Sequence, residues 1–220
     1  MADGPIGLLG GTFDPIHIGH LRLAEEARES LGLAELRLVP AGEPPHRGTP
    51  RCAAEHRLAM ARLAVADNPL LTVDDCEVHS DGPSYTVLTL ERLRAQVGPA
   101  QPLVLILGAD AFEGLPSWHR WQELFDLAHI AVANRPGYAP HGRRWPSVLS
   151  PELDAACRGR RLSHPDQLRA APAGALLPFD MTPLAISATH IRELLAQGHS
   201  ARYLLPAPVL DYIAAHSLYS

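Results

Sequence analysis

Gly10-Gly11-Thr12-Phe13-Asp14-Pro15-Ile16-His17-Ile18-Gly19-His20 is the stretch whose reading decides the fold. Before it, Ile6-Gly7-Leu8-Leu9-Gly10 is a short apolar run suited to a buried strand, and the stretch itself is dense in turn residues. After it, Leu21, Ala24, Ala27 and Leu31 recur at helical spacing, and Arg22, Glu25, Glu26 and Glu29 cover the opposite face. Gly32 stands where a C-terminal helix cap belongs. The reading is strand, glycine turn, helix.

The alternation continues outward. Strands are expected over 36–39, 71–73, 103–107, 129–133 and 176–179, and helices over 53–66, 87–96, 118–125, 189–197 and 209–216. Strands alternating with helices predict an α/β fold with a doubly wound parallel sheet, a Rossmann-like arrangement. A chain of 220 residues is long enough to bury one sizeable core. A single domain over 1–220 is therefore expected, with a C-terminal helical segment over 187–220. Residues 139–175 carry Arg143, Arg144, Arg158, Arg160 and Arg161 with several prolines and little periodicity. They read as an irregular surface insertion whose arginines form a solvated face.

Composition removes several chemistries. The formal net charge of −5 is not that of a general nucleic-acid binder. The 19 basic residues are all arginine, which excludes a Walker-type phosphate loop, a Schiff-base lysine and a lysyl-nucleotide intermediate. Cys52, Cys76 and Cys157 are odd in number and far apart, against a disulfide framework or zinc ribbon and in keeping with a reducing cytoplasm. No apolar run spans a bilayer and no leader is evident, so a soluble, unprocessed chain is expected. Neither G-x-S-x-G nor G-x-G-x-x-G occurs, so hydrolase and nicotinamide-dependent dehydrogenase readings have no anchor.

The turn over 10–20 points to phosphate. Gly10 and Gly11 let backbone N–H groups approach a ligand closely, and a following helix N-terminus favours an anion. His17 and His20, three residues apart, can face one side and donate to phosphate oxygens. A purely structural turn is the alternative. With Asp14 the two histidines could also hold a metal, but H-E-x-x-H is absent and no third ligand is assured, so no protein-held metal is expected. Toward the other end, Ile186-Ser187-Ala188-Thr189-His190-Ile191-Arg192 stands at a helix start. Its hydroxyls either cap that helix or, with Arg192, form a second phosphate cradle.

G-G-T-F-D-P-x-H-x-G-H at 10–20 resembles the signature of the nucleotidyltransferase superfamily with the (T/H)-x-G-H motif, and 186–192 resembles its I-S-x-T-x-x-R motif. Between them lie Pro44-Pro45-His46-Arg47, Pro83-Ser84-Tyr85-Thr86, Leu107-Gly108-Ala109-Asp110, Pro116-Ser117-Trp118-His119 and Asn134-Arg135-Pro136-Gly137. In this order they are similar to the bacterial nicotinate-nucleotide adenylyltransferases, over nearly the whole chain except about 139–175.

That resemblance implies adenylyl transfer from ATP, with Mg²⁺, to nicotinate mononucleotide, without a covalent enzyme intermediate. It implies catalytic roles for His17, His20 and Arg192. ATP and its phosphates would meet Gly10, Gly11, Thr12, Phe13, Ser187, Thr189, Gly108 and Arg135. The acceptor would meet Asp14, His46, Arg47, Thr86, Asp110, Trp118 and His119, with Thr86 and the His119 N–H on the nicotinate carboxylate. Trp118 offers a flat face for a pyridine ring, and Asp110 suits ribose hydroxyls, though a helix cap would also use it. A loop salt bridge is the other reading of Arg135. Tyr85 and Trp121 read as packing residues. No nucleic acid or membrane partner is implied, and a homo-oligomer is left open. The alternatives are a sibling adenylyltransferase for nicotinamide mononucleotide or pantetheine phosphate, and a non-catalytic nucleotide-binding regulator.

Overall fold

The computed structural model describes residues 4–44, 48–134 and 149–220. Its strands are β1 (Ile6–Gly11), β2 (Glu35–Pro40), β3 (Leu71–Val73), β4 (Leu103–Gly108), β5 (His129–Asn134) and β6 (Leu176–Asp180). Its helices are α1 (Ile18–Leu31), α2 (Ala54–Ala64), α3 (Thr86–Val97), α4 (Ala109–Glu113), α5 (Leu124–Leu127), α6 (Pro151–Cys157), α7 (Ala188–Ala196) and α8 (Ala207–Ala215). The strands form one six-stranded parallel sheet in the order β3-β2-β1-β4-β5-β6. This is the doubly wound order, which reverses at β1. Among the described residues no helix is long and apolar enough to cross a membrane.

The chain packs as two compact units. The first comprises Met1–Leu9, Glu25–Leu36 and Tyr85–Pro183. Parallel strands covered on both faces read as continuous apolar runs, and Leu103–Leu107 of β4 and Ile130–Ala133 of β5 are buried throughout. Their register pairs Leu105 with Ile130 and Leu107 with Val132. Leu90 and Leu93 of α3 and Leu124 and Phe125 of α5 close over this core. His129 is a satisfied core histidine. Its Nδ1 accepts from the Ala175 N–H at 3.1 Å, which leaves the proton on Nε2, 2.9 Å from the Ala171 carbonyl and 3.1 Å from that of Leu168. Burial holds this imidazole below its ordinary range.

The second unit comprises Gly10–Ala24, Arg37–Ser84 and Leu184–Ser220. Here α2 packs on α8, with Leu58 and Ala61 buried on one helix and Val209 and Ile213 on the other.

Two expectations need correction. The span 118–125 is not one helix: Trp118 is extended at the end of a 3₁₀ turn over Leu115–Ser117, and Arg120 is left-handed at φ 50°. A second 3₁₀ turn, Trp121–Glu123, then leads into the short α5. Arg120 stands just before that second turn, and its guanidinium pairs with both Glu91 at 2.6 Å and Glu123 at 2.8 Å. The second correction concerns the described part of 139–175, which is not irregular. Ser150 caps α6 by accepting from the Leu153 N–H at 3.3 Å, with Pro151 at the first helical position. Pro165–Ala170 is a 3₁₀ turn. Arg160 is not on a purely solvated face: it donates to the Ala156 and Gly174 carbonyls and lies 4.9 Å over the Phe125 ring.

Candidate active site

In the second unit the turn after β1 is built around Phe13, which is 2% exposed at φ 49°. A side chain at position 11 would meet the Phe13 ring at 2.7 Å, so packing already requires a glycine at 11. At Gly10 a side chain would find nothing within 4 Å, so the backbone there stands bare toward open space. The Phe13 ring then sits edge-on to His20, with centroids 5.0 Å apart.

His17 and His20 do face one side: their rings stack 3.7 Å apart at 18°. The His17 N–H donates to His20 Nδ1 at 3.3 Å, so neutral His20 carries its proton on Nε2. The start of α1 is less open than the turn suggested. The Ile18 N–H goes to the Leu204 carbonyl at 3.0 Å, and the His20 and Leu21 N–H groups go to the His17 carbonyl.

The second motif reaches the same turn. Arg192 on α7 donates from Nη1 to the Asp14 carbonyl at 2.7 Å and from Nη2 to Thr189 Oγ1 at 3.3 Å. Ser187 caps α7 by accepting from the His190 N–H at 3.2 Å. Both hydroxyl oxygens thus act as acceptors, which leaves their O–H groups to donate outward. Asp14 is 6% exposed. Its Oδ2 accepts from the Arg51 N–H at 2.7 Å and its Oδ1 from the Tyr219 hydroxyl at 2.7 Å. Each carboxylate oxygen thus already holds one protein donor.

Arg57 and Tyr219 are residues of this region that local spacing did not reveal. Arg57, 1% exposed, donates to four carbonyls: Thr12 at 2.7 Å, Ala41 at 2.6 Å, Gly42 at 2.9 Å and Cys52 at 3.1 Å. It ties the turn after β1 to the segment after β2. Burial pulls its guanidinium below the usual arginine range. Ser84 adds to the same segment by accepting from the Gly42 and Glu43 N–H groups. A signal for Arg57 did exist: an arginine among the apolar positions of α2 needs buried acceptors. His46, Arg47 and Arg135 lie outside the described residues.

In the first unit, Gly108 ends β4 and caps α4, and a side chain there would find nothing within 4 Å. Asp110 is exposed on the first turn of α4 and is not the cap. Thr86 opens α3. The Trp118 N–H is taken by the Leu115 carbonyl at 2.9 Å, whereas the His119 N–H has no backbone partner among the described residues. The Tyr85 ring packs on that of His119, with centroids 4.4 Å apart, and Trp121 is buried. A cleft of about 510 Å³ beside β6, lined by Arg161, Leu162, Ser163, Gln167, Leu177 and Pro178, holds none of the residues expected to act.

A model of the cytidylyltransferase-like family matches residues 8–194. A probable nicotinate-nucleotide adenylyltransferase of Dechloromonas aromatica is 56% identical over 215 residues, covering 98% of this chain and 97% of the relative. One of Halorhodospira halophila is 53% identical, covering 97% and 94%. Among solved structures, the nicotinic acid mononucleotide adenylyltransferase of Plasmodium falciparum complexed with NaAD shares the fold. It matches with a TM-score of 0.71 at 16% identity, over 98% of this chain and 97% of that one. The chain belongs to the cytidylyltransferase-like family of nucleotidyltransferases and, within it, to the nicotinate-nucleotide adenylyltransferases.

Proposed function

We propose that this protein transfers the adenylyl group of ATP to nicotinate mononucleotide, giving nicotinate adenine dinucleotide and pyrophosphate. The observation that carries the reading is 56% identity along almost the whole chain to a relative of that name, in a chain that keeps both phosphate motifs. Related solved structures of the Plasmodium falciparum enzyme are described as complexes with NaAD and with APC.

The acceptor's 5′-phosphate oxygen attacks the α-phosphorus of ATP in line. The bond from that phosphorus to the bridging oxygen breaks, and pyrophosphate leaves with the electron pair. No protein nucleophile is needed, so the missing lysine is no obstacle. Catalysis then rests on alignment and on charge stabilisation. The His20 Nε2–H and His17 donate to phosphate oxygens as charge builds on the leaving group. Arg192 and the Ser187 and Thr189 hydroxyls hold the outer phosphates. Gly10, Gly11, Thr12 and Phe13 contribute backbone, and Gly108 and Arg135 complete the nucleotide contacts.

Mg²⁺ supplies further neutralisation of the triphosphate. Among the described residues no three His, Cys, Asp or Glu side chains cluster as a metal cage. Mg²⁺ would arrive with ATP, held mainly by phosphate oxygens and water.

On the acceptor, Trp118 stacks on the pyridine ring, and Thr86 with the His119 N–H donates to the carboxylate. Asp110 takes ribose hydroxyls, His46 and Arg47 meet the phosphate, and the remaining lone pairs of Asp14 accept from the ligand. An amide in place of the carboxylate would set its NH₂ against those donors, at a cost of about 1–3 kcal/mol. The test is pyrophosphate release with Mg-ATP and either nicotinate or nicotinamide mononucleotide. A kcat/KM at least about tenfold higher for the acid is expected. Preference for the amide would overturn the substrate, and no turnover with either would overturn the reaction.

A further inference from the structure

Tyr219 lies outside both motifs and has no part in the reaction above. Its hydroxyl nevertheless donates to Oδ1 of Asp14 at 2.7 Å, across 205 positions of chain. The Arg51 N–H occupies Oδ2. Arg192 stands over the same residue with Nη1 on the Asp14 carbonyl at 2.7 Å and 3.9 Å from Oδ2.

That guanidinium has two competing acceptors on one residue. A charge-assisted pair with the carboxylate is intrinsically the stronger bond, roughly twice a neutral one. Arg192 takes the carbonyl instead, and the reason is visible: each carboxylate oxygen already has a donor. Two of its five N–H groups are then spent, on the Asp14 carbonyl and on Thr189 Oγ1, and the others remain for an anion. Tyr219 is suited to its task. Burial, reinforced by the neighbouring Asp14 carboxylate, pushes its phenol far above the usual range, so it stays a donor at any working pH.

We propose that Tyr219 is a positioning residue for adenylyl transfer. By giving Oδ1 of Asp14 its donor, it keeps Arg192 on the Asp14 carbonyl and on Thr189, with its remaining donors committed to the phosphates. Without the hydroxyl, Arg192 swings onto the carboxylate and its fork is consumed inside the protein. The identity of the anion rests on the proposed function, but the placement of Arg192 does not.

Tyr219→Phe removes the donor and keeps the ring. In a ligand-free crystal structure of that variant, where the Arg51 N–H still holds Oδ2, Arg192 should leave the Asp14 carbonyl, now 2.7 Å away, and lie at hydrogen-bond length, about 2.8 Å, from the vacated Oδ1. Calorimetry with inorganic tripolyphosphate should show about tenfold weaker binding than wild type. In turnover, kcat/KM for Mg-ATP should fall by about tenfold while KM for nicotinate mononucleotide stays within about twofold. In an Arg192→Ala background the same change should cost less than about twofold, because the residue acts through the arginine. An unmoved Arg192, or an equal loss in both backgrounds, would overturn the assignment and leave a structural tie. Absent turnover in the wild type would instead refute the proposed reaction, with Tyr219 still judged by the crystal structure and tripolyphosphate binding.

Discussion

The His17 N–H donates to Nδ1 of His20 at 3.3 Å while the two rings stack 3.7 Å apart. One backbone bond thus sets the tautomer of His20, the residue proposed to meet the leaving group. His20→Ala should lower kcat by about a hundredfold, the usual scale for one lost donor to developing charge. KM for nicotinate mononucleotide should barely move, because the donor acts in the transition state. His20→Gln, whose amide reaches the Nε2 position, should retain more activity than His20→Asn, which reaches only Nδ1. Steady-state kinetics of the three variants decide it, and wild-type turnover in His20→Ala would remove the role.

Trp118, extended at the end of its 3₁₀ turn, should act on binding rather than on chemistry. Stacking adds about 1 kcal/mol beyond area burial. Trp118→Ala is therefore expected to raise KM for the acceptor by at least about fivefold, with kcat within about twofold. An unchanged KM would take Trp118 out of the pocket.

Arg57 is the stability prediction. Arg57→Ala would leave four carbonyls without their donor in a buried place, at a cost of about 3–5 kcal/mol. For a chain of this length that is a fall in Tm of about 10 °C. Arg57→Lys should recover little, because an ammonium cannot reproduce the planar fork. Differential scanning calorimetry of both variants is the check; a fall of a degree or two would show that water or rearrangement replaces the guanidinium.

His129 gives the chain a pH dependence. Its folded-state value lies below the ordinary 6.5, chiefly through burial. Below that pH the unfolded chain binds the proton and the folded one resists it, so unfolding becomes easier. The contribution is whole above about pH 6.5 and is lost as the pH falls toward the folded-state value, at up to about 1.4 kcal/mol per pH unit. Urea unfolding at several pH values should show this slope in the wild type and lose that part of it in His129→Gln. Equal slopes in the two proteins would clear His129 of the effect.

The strands were legible because a parallel strand covered on both faces leaves an unbroken apolar run, as in Leu103–Leu107. Each expected strand has its counterpart in the sheet. The span 118–125 was misread because apolar spacing carries no sign of a left-handed residue such as Arg120, which interrupts the run. The helix α6 was missed because seven residues are too few for periodicity to show, although Ser150 before Pro151 was a start signal. In the candidate site, the motif residues were found by pattern, but what they touch was not. Gly11 read as room for a ligand, and its missing side chain is also what makes room for the Phe13 ring.

By itself the sequence determined the alternation of strand and helix, the glycine turn and the residue types at the two phosphate motifs. Each of these is written in neighbours a few positions apart, through period, turn chemistry and capping. The tertiary structure alone decided that Asp14 would be shared by Arg51, Arg192 and Tyr219. It decided as well that Arg57 would hold four carbonyls from separate segments. A hydrogen bond between residues 205 positions apart has no local signature. It exists because a buried carboxylate and a buried guanidinium must find partners wherever the fold brings them.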